Sequence, residues 1–136
     1  MSVKGGCLCG AVRYEAGVDP AFSGHCYCVD CQKGTGCGHV TVVGVPEAAL
    51  ALTGRTTTYT KPGASGQSVD RVFCTTCGTP LFSRPRAMAG MLMVRAGTLD
   101  DPSTVAPGMS IFASRAQAWD PPSTAIPAFP EMPPAA

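Results

Sequence analysis

The sequence predicts a mainly β domain in which short antiparallel strands are joined by glycine- and proline-rich loops. Three observations predict it. Glycine (16) and proline (13) are frequent enough in 136 residues to break long helices and favour strands with many turns. Several short runs are β-branched or alternate apolar with polar residues, as half-buried strands do. Eight cysteines fall into three groups far apart in the chain, a means of cross-linking a core that this length keeps modest.

The elements follow in order. Ala11 to Glu15 alternates apolar and polar residues and is predicted as a strand. His39 to Val43 is β-branched and flanked by Gly38 and Gly44, a second strand. Further strands are expected over Thr56 to Thr60, Ser68 to Phe73, Thr79 to Ser83 and Met91 to Ala96. Pro46 to Leu50 is the best helical candidate, since proline suits a first helical position, but it has room for little more than a turn. Ile111 to Ala113 is a last apolar piece, leading to Trp119. From Pro121 the chain is rich in proline, alanine and serine, so residues 1–120 are expected to form the domain. Residues 121–136 are expected to be a tail lying extended over its surface, pinned by Ile126, Phe129 and Met132.

The formal charge is +1 and no stretch carries a run of lysine or arginine, which excludes the long basic stripe that nucleic acid requires. No apolar run approaches membrane-spanning length, and the start, Met1 to Gly6, lacks the apolar core of a signal peptide. The expectation is a cytoplasmic chain with reduced thiols, and there clustered cysteines read as metal ligands rather than disulfides.

The three groups are Cys7-Leu8-Cys9-Gly10, Cys26-Tyr27-Cys28-Val29-Asp30-Cys31 and Cys74-Thr75-Thr76-Cys77-Gly78. The last has the spacing of a zinc knuckle: two intervening residues let both thiolates face one ion, and the glycine can take a positive φ that brings backbone N–H groups to the sulfurs. Cys9-Gly10 ends the same way. Cys7, Cys9, Cys74 and Cys77 are therefore assigned to a closed, structural Zn(Cys)₄ site. A thioredoxin-like redox pair at Cys74 and Cys77 would need a helix after the first cysteine, and none is readable there.

The middle group is one ligand short. Three thiolates and an open position are the arrangement that catalytic zinc uses, so Cys26, Cys28 and Cys31 are expected to hold a labile or catalytic ion. Two residues could close it instead. His25 adjoins Cys26, but neighbours on an extended segment point to opposite sides. Cys37 could fold back, although a lone cysteine more often serves as a small buried hydrophobe. His39 reads as a packed strand residue, Asp30 as a turn-capping carboxylate, Arg71 as the partner of an acid such as Asp100, and Trp119 as a core or lid aromatic. Tyr27 reads as pocket-lining or partly exposed.

These residues in this order resemble one family. Gly5 to Tyr14, Cys26-x-Cys28-x-x-Cys31, Arg71-Val72-Phe73-Cys74-x-x-Cys77-Gly78 and Gly97-Thr98-Leu99-Asp100-Asp101-Pro102 are together similar to the glutathione-dependent formaldehyde-activating family, which includes centromere protein V-like proteins. The resemblance runs to about Trp119. It implies a β-tent zinc fold, structural zinc on the first and third cysteine groups, and a labile zinc on the middle three near a glutathione site. The implied reaction is that of a carbon–sulfur lyase, joining formaldehyde and glutathione as S-hydroxymethylglutathione, with a small-molecule thiol as partner. The alternative is a zinc-stabilised, non-catalytic protein-binding module, which a fourth protein ligand on the middle group would favour.

Overall fold

The computed structural model describes residues 2–133, and the end of the expected tail, Pro134 to Ala136, lies outside them. It contains ten strands, β1 (Val3–Gly6), β2 (Arg13–Ala16), β3 (Phe22–Cys26), β4 (Val40–Pro46), β5 (Leu50–Thr53), β6 (Thr56–Pro62), β7 (Ser68–Cys74), β8 (Pro80–Pro85), β9 (Met91–Arg95) and β10 (Ser110–Ile111), and one α-helix, α1 (Val29–Thr35). The mainly β class stands. Glu47–Ala49, within the helical candidate, forms a single 3₁₀ turn.

The strands make two sheets, β1-β2-β5 and β10-β3-β4-β9-β8-β7-β6. The strands of both sheets pair antiparallel, as expected, and short β10 alone lies parallel to its neighbour β3 among the described strands. The core lies between the sheets. Val3, Tyr14 and Ala16 of the small sheet meet Val43, Val45, Val72, Phe82, Leu92 and Val94 of the large one. Central strand β9 is buried on both faces: Leu92 and Val94 are fully enclosed, and Met93 and Arg95 on the other side are buried as well. That is why its sequence reads as a continuous run without alternation.

The small sheet is tied to the segment after β9 by a close backbone approach. Gly5 forms a bridge with Leu99, and a Cβ at Gly5 would fall on the Thr98 carbonyl oxygen and the Tyr14 hydroxyl. The Tyr14 hydroxyl hydrogen-bonds the Thr98 hydroxyl at 2.7 Å, and Arg13 makes a two-pronged pair with Asp100. Gly5→Ala is expected to lower stability by about 3 kcal/mol through overpacking. Gly17→Ala, where an added Cβ meets nothing, is expected to change it by less than about 1 kcal/mol. Urea denaturation of the two variants checks this.

The described part of the tail turns and bends, and it is anchored to the domain. Ser110 N–H donates to the Pro127 carbonyl and Phe129 N–H to the Ser110 carbonyl, both at 2.9 Å, and Arg115 pairs with Glu131. Ile126 and Phe129 are half-buried, whereas Met132 is 52% exposed and does not pin the tail.

Candidate metal centres

All eight cysteines are free, and seven of them gather into two groups whose sulfurs lie within 4.8 Å of one another: Cys7, Cys9, Cys74 and Cys77, and Cys26, Cys28 and Cys31. The first group joins the loop after β1 to the end of β7. Gly10 and Gly78 take φ of 83° and 77°, the left-handed turn expected after each cysteine pair. Those turns aim N–H groups at sulfur: Val12 donates to Cys7 at 3.2 Å, and Thr76 and Cys77 donate to Cys74 at 3.3 and 3.4 Å. The Cys7–Cys9 and Cys9–Cys74 sulfurs are 3.6 and 3.9 Å apart. A disulfide needs about 2.05 Å. A tetrahedron of sulfurs at a zinc–sulfur length of about 2.3 Å has edges of about 3.8 Å. The donor set and its spacing fit a tetrahedral thiophilic ion. Hydrogen bonds from the Thr79 hydroxyl and backbone pull the Cys77 thiol down to about 5, toward the thiolate an ion requires.

The second group is built where β3 runs into α1. Cys26 ends the strand, Cys28 caps the helix by accepting the Cys31 N–H at 3.3 Å, and Cys31 lies in the first turn. The Gln32 side-chain amide donates to the carbonyls of Tyr27 and Arg115 at 2.7 and 2.9 Å, strapping the helix to the C-terminal segment. Bonds from Cys26 and Cys31, and then from the backbone, push the Cys28 thiol strongly down, while bonding to Cys28 pushes Cys26 up to about 11. Cys31 is also pushed up, first by Cys26 and then by Cys28. The three thiols thus lie within bonding reach of one another.

Neither candidate fourth ligand joins this group among the described residues. His25 turns away, as its place on the strand predicts, and bonds the Thr41 hydroxyl at 2.8 Å. Cys37 is exposed, which corrects its reading as a buried hydrophobe; it sits in the turn after α1, just past the Gly36 cap. Asp30 does not cap a turn but pairs with Lys61 at 2.9 Å and Arg71 at 3.7 Å. Arg71 therefore takes Asp30, and Asp100 takes Arg13. Tyr27 is fully buried, and Trp119, at 68% exposure, is no core aromatic.

Three features had no signal in the sequence. His39 Nδ1 lies 2.5 Å from Asp120 Oδ2 and packs on the rings of Tyr27 and His25. Asp120 sits so close to Gly38 that a side chain there would overlap it. Arg95, 9% exposed, approaches the second cysteine group from β9. It also lines an open cleft of about 360 Å³ with Thr35, His39, Thr41, Thr79 and Thr98. A larger groove of about 500 Å³, between Phe22 and the Leu99–Asp101 segment, has no cysteine or histidine in its lining.

Comparison with known proteins follows the cysteines. The model of a family described as glutathione-dependent formaldehyde-activating enzyme matches residues 2–115, which hold both cysteine groups. A crystal structure of a Rhodobacter sphaeroides protein superposes with a TM-score of 0.57 at 22% identity, covering 76% of this chain and 91% of that one, a likeness of fold. Among curated proteins none matches the chain. No helix of the described residues is long and apolar enough to cross a membrane.

Proposed function

This chain belongs to the glutathione-dependent formaldehyde-activating family, and on that premise we propose that it is a zinc-dependent enzyme of the carbon–sulfur lyase type. Its substrates are glutathione and formaldehyde or a similar thiol–aldehyde pair. Cys7, Cys9, Cys74 and Cys77 hold a structural zinc, and Cys26, Cys28 and Cys31 hold the ion at the reacting centre. The observation that carries this reading is the second group itself: three sulfurs drawn together on one short segment, with no fourth protein donor beside them among the described residues. A scaffold has no use for an incomplete ligand set.

When bound, zinc lowers the pKa of a coordinated thiol, so that the sulfur is nucleophilic near neutral pH. The chain's own residues make the place for that sulfur. The bond from Cys31 N–H to the Cys28 sulfur holds the capping thiol in position, and the two Gln32 bonds fix the helix that carries Cys31. The reaction adds a thiol across a carbonyl. The S–H proton is lost, the sulfur–carbon bond forms, and the carbonyl oxygen becomes a hydroxyl by gaining a proton.

Calorimetry with glutathione in two buffers of different ionisation enthalpy tests this reading. Binding is expected to release a proton, and its apparent affinity to rise with pH until the free thiol ionises near about 8.5. S-methylglutathione, which cannot ligate as an anion, is expected to bind at least about 100-fold more weakly. Total zinc is measured in parallel, to separate joining the ion from stripping it. Equal binding of the two compounds with no proton release and no loss of zinc rejects thiolate capture in favour of a binding module.

A further inference from the structure

The large sheet turns one face toward the Cys26–Cys28–Cys31 group, and that face is basic. Register places the residues. Arg71 pairs with Ser83 and Ser83 with Met93, while Arg95, two residues beyond Met93, pairs with Val42. Val42 pairs in turn with Gly24, two residues before Cys26. Side chains directly opposite share a face, and so do those two apart. Arg71, Arg95 and Cys26 are therefore on one side of the sheet. Lys61, two residues from the Tyr59 that pairs with Arg71, is on that side as well. The core side chains Val72, Phe82 and Val94 fill the other.

Helix α1 brings one acid to this face, Asp30, which pairs with Lys61 and more loosely with Arg71. Three cations against one carboxylate leave two positive charges there. Two of the donors are orphaned: Arg95 Nε and Arg71 Nη1 are buried with no hydrogen-bond partner. Arg95 as a residue is more than nine-tenths buried. A buried guanidinium without a partner is costly unless an anion completes it. Arg95 faces the Cys26 side of the sheet from β9, across β4.

Three thiolates on a zinc dication carry one net negative charge, and a fourth, thiolate ligand makes two. The protein has built the matching countercharge in advance. We propose that Arg95 and Arg71 select an anionic fourth ligand at the Cys26–Cys28–Cys31 group, so that a thiol is held there as thiolate and neutral donors are disfavoured. This rests on the reading of that group as a metal–thiol site. Both arginines are positioning residues, acting through charge on the ligand set.

The test uses the full chain loaded with Co(II), whose absorption reports sulfur ligation, and takes Cys31→Ser loaded the same way as the background of the other cysteine group. The probes are 2-mercaptoethanol, whose bound form carries charge only on sulfur, imidazole as a neutral donor, and glutathione. In Arg95→Gln the affinity for 2-mercaptoethanol is expected to fall about tenfold or more, and that for imidazole to stay within about twofold. Arg95→Lys is expected to keep most of the thiol affinity, and Arg71→Gln to shift it the same way as Arg95→Gln. Equal losses for 2-mercaptoethanol and imidazole would make the arginines merely structural, and no loss for either would remove them from the site. A loss for glutathione alone would assign them to its carboxylates. Each of these overturns the proposal. If Arg95→Gln does not fold, Arg71→Gln decides: thiol affinity unchanged while the metal stays bound overturns it. A wild-type spectrum no different from the Cys31→Ser background rejects the metal–thiol reading itself, a separate outcome from loss of selectivity at a loaded site.

Discussion

Cys74→Ser is expected to abolish the folded state at 25 °C and to leave the chain without the metal of its first cysteine group. Cys74 is fully buried, belongs to the core cluster, and its sulfur accepts two backbone N–H groups. It ends β7 in the large sheet, whereas Cys7 and Cys9 follow β1 in the small one. On the proposed assignment, one ion therefore joins the two layers. Structural zinc contributes about 10 kcal/mol or more of apparent folding free energy in small domains, against a total stability of about 5–15 kcal/mol. Removing one thiolate also leaves a gap in the core and gives the Thr76 and Cys77 N–H groups a different acceptor. Thermal unfolding followed by circular dichroism, with metal content measured in parallel, checks this. Cys37→Ser, at an exposed thiol outside both groups, is expected to keep its melting transition within about 0.5 kcal/mol of the parent. A Cys74→Ser protein with its full metal content and an unchanged transition would refute the four-cysteine assignment.

Cys31→Ser is expected to do the opposite: the fold survives, one zinc per chain is lost, and thiol binding disappears. Cys26, Cys28 and Cys31 lie on one short segment, so an ion on them closes a small loop and removes little entropy from the unfolded chain. The segment is held independently by the β3–β4 and β3–β10 pairings and by the Gln32 bonds to Tyr27 and Arg115. A stability loss of about 1–2 kcal/mol is expected, the ordinary cost of one half-buried substitution. Zinc stoichiometry, the melting transition and glutathione calorimetry on the same sample give the three readings. If Cys26→Ser, Cys28→Ser and Cys31→Ser all unfold the protein, the second group is structural too, and its role at a reacting centre falls.

What the sequence by itself determined is what short-range spacing encodes. Two residues between Cys74 and Cys77, and a glycine after Cys77 and after Cys9, dictate the knuckle turns, because few other local geometries let both thiols and the backbone N–H groups face one point. Strands β2, β4, β6, β7, β8 and β9 were legible because β-branched residues, alternation or, in β9, an unbroken apolar run act over neighbours along the chain. Strand β3 was not. Phe22-Ser23-Gly24-His25-Cys26 has no alternation, since each face of it meets something different: Gly24 lies under Met109, and His25 reaches Thr41. Helix α1 was hidden too, because seven residues carrying Gly34 lack the periodicity of a helix, and the structure makes it by capping on Cys28 and strapping through Gln32.

The tertiary structure alone decided which charges meet. Arg13 with Asp100 and His39 with Asp120 are separated by 87 and 81 residues, and Arg95 reaches the cysteine group only through the register of β9 on β4 and β4 on β3. Nothing in the sequence near Arg95 distinguishes it from a strand-end cation on the surface. Its burial beside the thiols is set by which strands are neighbours in the sheet. Sheet order is a long-range property, fixed by how a whole core packs, whereas the ligand spacing of a cysteine pair is complete within five residues.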